Sequence, residues 1–189
     1  MILVLLGTQN NSFHRLLEEI EKNIDAGNIT DKVVVQAGFT KYKSNKMEIF
    51  DMIPQDELEK LIKEANLVIT HGGVGSIMSA VKQGKKVIAV PRLKKYGEHV
   101  NDHQLEIIET FKKQGIIIGI NDVTELAQAL KDAETLKVGS TGLDTDQKIA
   151  QENSQNEFAK QFTQTSHENK IVKIIDEFIQ NDINRKKKH

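Results

Sequence analysis

Short, continuously apolar runs alternate with segments of helical periodicity along the first two-thirds of the chain. Apolar runs of this length, bounded by polar and turn residues, are typical of β-strands. Strands that read as unbroken apolar runs are usually covered on both faces, as in a parallel sheet. The predicted strands are Ile2–Leu6, Lys32–Ala37, Met47–Phe50, Leu67–Thr70, Lys86–Val90 and Ile116–Ile120.

Five segments between and after these runs have the apolar spacing of amphipathic helices. Gly84 and Gly115 follow two of them as C-terminal glycine caps, and Asp122 precedes the last as an N-terminal cap. The predicted helices are Ser12–Asp25, Pro54–Ala65, Gly75–Gln83, Asn101–Lys113 and Val123–Lys131. Regular alternation of strands and helices predicts an α/β fold with a doubly wound, Rossmann-like parallel sheet and right-handed crossovers.

The alternating pattern stops near Ala133 and divides the chain into three parts. Residues 1–134 form the predicted α/β domain. Residues 135–166 are rich in Ser, Thr, Gln and Asn, so we expect a polar and flexible insertion. Residues 167–189 contain a renewed apolar stripe and a basic tail, which predict a C-terminal helix that docks on the domain or on a partner.

The charge balance and the lack of cysteine narrow the functional classes. The chain has 26 Lys and Arg residues against 27 Asp and Glu residues, a formal net charge of −1. No overall positive field therefore attracts nucleic acid. The absence of cysteine excludes disulfides and thiolate chemistry, and fits a reducing compartment. The first apolar run, which ends at Gly7, is too short for a signal core or a membrane span.

Ligands of open parallel sheets bind beyond the carboxyl ends of the strands, where three segments of this sequence fall. The first is Gly7–Ser12, whose small and amide side chains precede a helix. It is a candidate binding loop that includes Gly7 and Thr8. An ordinary strand-to-helix turn capped by Asn11 or Ser12 is the alternative interpretation.

The second segment is Thr70–Ser76, with three glycines in four positions between a buried strand and a helix. Glycine lets the backbone approach a ligand closely, and the start of a helix favours an anion. We therefore expect a diphosphate here, with an imidazole hydrogen of His71 and the Ser76 hydroxyl adding to the amides. Glycines needed only for packing are the alternative. The segment matches neither the dinucleotide fingerprint nor a P-loop.

The third segment follows the fifth predicted strand and concentrates polar groups between Glu98 and Gln104. Carboxylates and amides suit vicinal sugar hydroxyls, because they accept or exchange paired hydrogen bonds. Arg92, just after the strand, is a candidate for neutralising phosphate charge. His99 and His103 also have the spacing of two zinc ligands, which leaves a metal site as a rival interpretation, and a helix cap by Asn101 or Asp102 is a further one.

The stretches Ile69–Met78, Gly84–Arg92 and Glu98–Gln104 together resemble the C-terminal domain of family 28 glycosyltransferases. The similarity is greatest to small bacterial subunits of exopolysaccharide and capsule assembly, and extends to the catalytic subunit of the eukaryotic dolichol-linked transferase. It covers about residues 1–130. The resemblance implies the donor-binding half of a GT-B glycosyltransferase, with a UDP-sugar as donor substrate and neither a cofactor nor a metal.

The resemblance also implies roles for individual residues. The diphosphate would face His71, Gly73, Gly75 and Ser76 beside Gly72, and the donor sugar would contact Gln104 with Asp102 or His103. Gly7 and Thr8 would line the cleft. Related transferases often have a glutamate, which binds the ribose, where this chain has Ser79. Glu98 or a partner would then supply the ribose contacts.

The implied reaction is an inverting hexosyl transfer to a lipid-diphosphate-linked sugar in exopolysaccharide or capsule synthesis. A membrane-associated glycosyltransferase subunit would complete the active site and recruit this cytoplasmic chain to the inner face of the membrane. His14 is the candidate general base within the chain, and the partner is the other possible source. Two alternatives remain open, a non-catalytic UDP-binding or structural enhancer subunit and a hydrolase or epimerase acting on UDP-sugars.

Overall fold

The computed structural model describes residues 1–135. They form a sheet of six parallel strands with five α-helices, one after every strand except the second. The strands are β1 (Ile2–Leu5), β2 (Val33–Gln36), β3 (Glu48–Phe50), β4 (Leu67–His71), β5 (Lys86–Val90) and β6 (Ile118–Gly119). The helices are α1 (His14–Asp25), α2 (Gln55–Glu64), α3 (Val74–Val81), α4 (His103–Lys113) and α5 (Leu126–Thr135).

The spatial order of the strands is β3-β2-β1-β4-β5-β6. The chain therefore winds outward from β1 to β3, returns to the centre at β4, and winds outward in the other direction. β1 lies between β2 and β4, with Ile2 level with both Val33 and Leu67. In such a sheet the loops after β1 and β4 diverge to opposite faces and leave a crevice between them. The predicted doubly wound fold is confirmed.

The alternating side chains of each strand divide the core between two faces. Ile2, Val4 and Leu6 belong to the cluster that also contains the buried faces of α1 and α5. Leu3 and Leu5 point the other way and are buried as well. Because both faces are covered, the central strands are apolar at nearly every position, which is the pattern seen in the sequence.

The predicted elements agree with the structure to within a few residues, with two informative differences. α1 begins at His14, and neither Asn11 nor Ser12 caps it. The Asn11 amide instead donates to the carbonyl oxygen of Gly97. β6 keeps only Ile118–Gly119 of the predicted strand, since it is an edge strand that pairs with β5 alone.

Asp122 and Glu125 form the predicted helix start as a reciprocal capping box, on a short 3₁₀ turn (Val123–Glu125) before α5. Gly84 and Gly115 have positive φ angles of 68° and 66°, as expected for glycines that end helices. The predicted insertion and C-terminal helix, from residue 136 onward, lie outside the described residues. Within residues 1–135, no helix is both long and apolar enough to cross a membrane.

Candidate nucleotide-binding site

A cavity of about 470 Å³ opens at the carboxyl edge of the sheet, in the crevice between the loops after β1 and β4. One wall is formed by the end of β4 and the start of α3, and the other by the ends of β1 and β2 and by α2. Six of the residues expected from the sequence line it: Gly7, Thr8, His71, Gly73, Gly75 and Ser76. The position is the usual ligand site of an open α/β sheet.

The first turn of α3 faces this cavity without a side-chain cap. Gly73 is the N-cap residue, so the backbone N–H groups of Val74, Gly75 and Ser76 have no acceptor within the helix. The first intrahelical bond runs from the amide of Ile77 to the carbonyl oxygen of Gly73. Free amides and the positive end of the helix dipole together favour an anion at this point.

Gly72 has a different role from the one expected. Its amide donates to Oε1 of Gln104 at 3.0 Å, and a Cβ added to Gly72 would lie 2.7 Å from the Cβ of Gln104. Gly72 therefore packs α3 closely against α4, and its N–H is not available to a ligand. The candidate anion-binding turn is therefore Gly73–Ser76.

His71 is the last residue of β4. Its ring lies between Gly7, in the loop after β1, and Gly73, at the start of α3. Nδ1 lies 3.3 Å from the carbonyl oxygen of Leu5, which can only accept, and 3.5 Å from the Thr70 hydroxyl, which itself donates to Leu5. We therefore assign the hydrogen to Nδ1. Burial, with a contribution from the nearby charge of Arg92, lowers the pKa of His71 to about 4. The ring is thus neutral near pH 7, with a lone pair on Nε2. The expected imidazole hydrogen faces Leu5 in the free site and not the cavity.

A side chain at Gly7 or at Gly73 would collide with this ring. A Cβ on Gly7 would lie 2.6 Å from Cε1 of His71, and a Cβ on Gly73 would overlap Nε2. Gly7 also has a φ of 78°, which disfavours any other residue. The two glycines therefore let the imidazole lie directly at the mouth of the crevice.

Arg92 does not reach the cavity, contrary to its expected role at a phosphate. Its side chain is fully buried, and its guanidinium donates to the carbonyl oxygens of Leu6 at 2.7 Å, Asn11 at 2.6 Å and Glu98 at 3.2 Å. The ring of Phe13 lies 5.0 Å away. Leu6 and Asn11 flank the loop 7–10, so Arg92 fixes that loop from beneath. Burial lowers its pKa to about 10, which leaves it charged at neutral pH.

Glu98 is likewise buried and is unavailable to a ribose. Both of its carboxylate oxygens accept from Arg15 at 2.9 Å, and Oε2 also accepts from the amide of Leu93. Arg15 continues to Asp122 at 3.5 Å and to the carbonyl oxygen of Pro91. This buried network joins α1 to the loop after β5. Charged residues at the end of a strand suggested ligand contacts, but here their charges are compensated inside the domain.

Gln104 is buried at the start of α4, with its amide divided between two environments. Oε1 accepts from the amides of Gly72 and Arg92, each at 3.0 Å. The Gln104 amide nitrogen has no hydrogen-bond partner among the described residues. It is not fully buried, because in this part of the chain the one fully buried side-chain nitrogen or oxygen without a partner is Arg92 Nε. Gln104 thus joins the loops after β4 and β5, and it is not among the residues that line the cavity.

The remaining predicted residues lie away from the cavity. His14 is half exposed on α1, with Nε2 3.7 Å from Glu18 and its ring against Tyr42. Asp102 accepts from the amide of Lys94, and His103 lies 3.4 Å from Glu106. The side chains of Asp102 and Asn101 do not cap α4 in the usual way, although Asn101 accepts from the amide of His103.

The rival metal interpretation depended on His99 and His103. His99 Nδ1 lies 3.1 Å from the carbonyl oxygen of Asn101, and Nε2 lies 3.2 Å from the amide nitrogen of Gln9. No group of three or more His, Cys, Asp or Glu side chains with the geometry of a metal site occurs among residues 1–135. Gln9 and His99 instead connect the loop after β1 to the loop after β5, on either side of β4 in the sheet.

The far wall of the cavity was not predicted from the sequence. That wall has apolar side chains and uncharged polar groups: Leu5, Gln36, Met52, Ile53, Gln55, Leu58 and Ile62. Gln36 gave a usable signal, because it is a polar residue at the carboxyl end of an apolar run. Met52 and Leu58 gave none, since apolar side chains at these positions look the same whether they fill a core or line a pocket.

Known proteins resemble this chain in sequence and in fold. The family model described as the glycosyltransferase family 28 C-terminal domain matches residues 1–162. The UDP-N-acetylglucosamine transferase subunit ALG13 of Yarrowia lipolytica is 34% identical over 96 residues, which are 49% of this chain and 47% of that protein. The same subunit of Kluyveromyces lactis is 34% identical over 90 residues, 45% of this chain and 44% of that protein. The chain therefore spans about half the length of these curated relatives.

Solved structures show the same fold at low sequence identity. The glycosyltransferase of kitacinnamycin has a TM-score of 0.56 and 18% identity, and the match covers 76% of this chain and 37% of that chain. The UDP-GlcNAc 2-epimerase of Methanocaldococcus jannaschii has a TM-score of 0.52 and 17% identity, over 79% and 44% of the two chains. The sheet is thus the Rossmann-like half of a GT-B architecture. With more than half of its length matched by the family model, the chain belongs to the glycosyltransferase family 28 C-terminal domains.

Proposed function

We propose that this domain binds a UDP-sugar and is the donor half of a two-subunit hexosyltransferase. The observation that carries the proposal is the uncapped start of α3, where Gly73, Gly75 and Ser76 line a cavity at the switch point of the sheet. Backbone amides at a helix start suit a diphosphate. The names of the curated relatives, subunits of a UDP-N-acetylglucosamine transferase, make UDP-N-acetylglucosamine the first donor to test.

The cavity has room and suitable chemistry for the rest of the donor. The diphosphate would accept from the amides of Gly73–Ser76 and from the Ser76 hydroxyl. The uridine would extend along the apolar wall around Met52 and Leu58. The ribose would lie near Gln55, because Glu98 is buried and the Ser79 hydroxyl already donates to the carbonyl oxygen of Gly75 at 2.9 Å. The sugar would reach the free amide nitrogen of Gln104.

In this proposal the transfer is inverting and needs no metal ion. The acceptor hydroxyl attacks the anomeric carbon from the side opposite to the departing UDP, and the amides at the start of α3 stabilise the negative charge that develops on UDP. A base must take the proton of the acceptor hydroxyl. His14 stays a prediction for this role; its place on the outer face of α1 favours a base supplied by the second subunit.

The partner completes the proposal. GT-B sites lie between two halves, and this chain covers 37% to 44% of the chains of two similar solved structures. We infer a membrane-associated glycosyltransferase subunit that brings a lipid-linked sugar acceptor to a cytoplasmic donor domain. Exopolysaccharide or capsule synthesis in a bacterium stays a prediction, because the curated relatives reported above are from yeasts.

The test is to co-express the chain with a candidate membrane subunit and to assay membranes with a panel of radiolabelled UDP-sugars. Transfer that requires both proteins supports the proposal. Full turnover by the isolated chain would contradict the two-subunit arrangement. UDP-sugar hydrolysis or epimerisation without transfer would favour the alternative activities.

Substitution of Gln104 by glutamate separates a catalytic subunit from a non-catalytic enhancer. Gln104→Glu keeps an oxygen acceptor for the amides of Gly72 and Arg92 but removes the amide donor that would contact the sugar. We expect transfer to fall at least about tenfold, the cost of one lost hydrogen bond to the sugar, while the complex stays intact on co-purification. An unchanged rate in an intact complex would favour the enhancer.

A further inference from the structure

The hydrogen-bonding state of His71 does not match the ligand proposed for the cavity. Nδ1 is fixed as the donor by the carbonyl oxygen of Leu5, at 3.3 Å. A neutral imidazole with hydrogen on Nδ1 has only a lone pair on Nε2. Phosphate oxygens are acceptors too. In the free site, neither Nε2 nor a phosphate oxygen could therefore donate a hydrogen bond to the other.

The position of Nε2 makes this mismatch unavoidable for a ligand in the crevice. A Cβ added to Gly7 or to Gly73 would lie within 2.7 Å of Nε2. This atom therefore lies between the two loops that would flank the diphosphate. Moving the hydrogen of the neutral ring from Nδ1 to Nε2 would lose the Leu5 bond and leave Nδ1 facing a carbonyl oxygen, with only the Thr70 hydroxyl, 3.5 Å away, to donate to it. It also has little room to withdraw, because the side chain is 9% exposed and enclosed by the sheet.

The groups around His71 keep the ring neutral in the absence of ligand. From the segment after β5, the charges of Arg92 and His99 both act to lower its pKa, in addition to burial. The loop after β1 contributes the Leu5 carbonyl and Gly7, and the start of α3 contributes Gly73 and Ser76, none of them charged. Among the described residues, no carboxylate contributes to this pKa shift. An incoming diphosphate would be the first negative charge beside the ring.

We propose that His71 becomes an imidazolium when the donor binds, so that the site takes up one proton from solvent with each nucleoside diphosphate sugar. The new hydrogen on Nε2 then donates to a phosphate oxygen, while Nδ1 keeps its bond to Leu5. This inference rests on the proposed function, because it requires a diphosphate in the crevice. A bound diphosphate supplies the negative charge that the free site lacks, which makes the charged ring stable.

The proton has a use in the transfer step. When the bond between the anomeric carbon and the β-phosphate oxygen breaks, its electron pair stays on UDP and raises the negative charge there. An imidazolium at hydrogen-bond distance stabilises that charge and keeps its proton. The proton of the acceptor hydroxyl goes to a separate base. Release of UDP returns His71 to the neutral form and returns the proton to solvent, so the cycle balances.

Calorimetric titration with UDP-N-acetylglucosamine tests the proposal, because its diphosphate has no group of its own that titrates near neutral pH. Measurements in two buffers of different ionisation enthalpy give the number of protons taken up. We expect between about one half and one proton per site at pH 6, and an affinity that weakens by up to about tenfold per unit as pH rises. The dependence ends where the bound ring itself loses its proton.

Nitrogen NMR of the imidazole supplies a second measurement on the unmodified chain. The Nε2 signal of His71 should change from a lone-pair nitrogen in the free protein to a protonated nitrogen in the complex. Two variants separate the causes. His71→Gln can donate to phosphate without titrating, so its binding should lose the pH dependence. Ser76→Ala should bind more weakly and keep the same proton uptake.

The outcomes separate the inference from the proposed function. Binding without proton uptake would overturn the inference and leave UDP-sugar binding intact. A lone-pair Nε2 in that complex would mean that it accepts from a ligand hydroxyl, and a protonated Nε2 would mean that the neutral ring has moved its hydrogen from Nδ1. No binding at any pH would instead contradict the proposed function itself.

Discussion

At the scale of single residues, buried polar groups determine the shape of the site. His71, Arg92, Glu98 and Gln104 are all less than a tenth exposed, and each joins segments that are distant in sequence. All four bond to backbone atoms at the carboxyl edge of the sheet. Buried polar groups are costly unless they are hydrogen-bonded, so these bonds specify the loop conformations.

His71 gives the domain a pH-dependent stability. The pKa is about 4 in the folded protein and close to 6.5 when the ring is exposed, so between these values the unfolded chain binds more protons. Stability from this group is therefore complete above pH 6.5 and is lost as the pH falls toward 4. From pH 7.5 to pH 5 we expect the free energy of unfolding to drop by about 2 kcal/mol because of His71.

Urea denaturation of the wild type and of His71→Gln at both pH values measures this contribution. The difference in the free energy of unfolding between the wild type and the variant should be smaller by about 2 kcal/mol at pH 5 than at pH 7.5, since the variant lacks the titrating ring. A difference that is the same at both pH values would show that the pKa of His71 is not lowered in the fold.

Gly73 should not tolerate a side chain, even though its φ of −83° is open to any residue. In Gly73→Ala the new Cβ would overlap Nε2 of His71 and displace the ring or the turn. We expect a loss of about 1–3 kcal/mol of stability from overpacking, and at least about tenfold weaker UDP binding.

Gly84→Ala is the matched control, measured by the same urea denaturation and UDP titration. Gly84 has a φ of 68°, but a Cβ there would meet no neighbouring atom, and the residue lies outside the cavity. It should lose about 1 kcal/mol of stability from backbone strain and bind UDP normally. Equal UDP affinities for Gly73→Ala and Gly84→Ala would disprove a specific role of Gly73.

At the scale of elements, the loop after β1 is held by the segment after β5 across the end of β4. Arg92 donates to the carbonyl oxygens of Leu6 and Asn11, and the Asn11 side chain donates to Gly97. This loop is thus ordered by a distant part of the chain, and not by its own turn chemistry. The side-chain amide of Asn11 bonds to Gly97 and does not cap α1.

Arg92→Lys tests that arrangement, because a lysine keeps the charge but cannot form the same three bonds. We expect about 2–4 kcal/mol of lost stability, since bonds from a charged donor are broken in the interior. Amide hydrogen exchange should quicken in residues 7–11 more than in the central strands. Uniformly faster exchange throughout the domain would indicate general destabilisation and no special link to the loop.

The sequence was informative about elements and much less so about buried charge. Continuous apolar runs predict a parallel sheet because both faces of its strands are covered, and the structure confirms this. The sequence positions of Arg92 and Glu98, by contrast, suited ligand contacts, and only the fold shows that Arg15 and three carbonyl groups compensate them. Whether a charged side chain is buried depends on which distant segments pack against it. The local sequence pattern contains no information on those contacts.

At the scale of the whole molecule, the switch point of the sheet brings the two loops of the candidate site together. β1 and β4 are neighbours, so Gly7 and His71 meet although 64 residues separate them in the chain. The strand order follows from right-handed crossovers that wind in both directions from the centre. The far wall of the cavity, from β2 and α2, could not be assigned to the site until this order was known.

The most direct test of the central claim is an amide NMR titration of the chain with UDP. If the start of α3 binds the diphosphate, the amide resonances of Gly73–Ser76 should move most, together with those of Gly7 and Thr8, and saturate with a single affinity. Amide resonances at Gly73–Ser76 that stay in place while UDP is added to saturation would contradict the account.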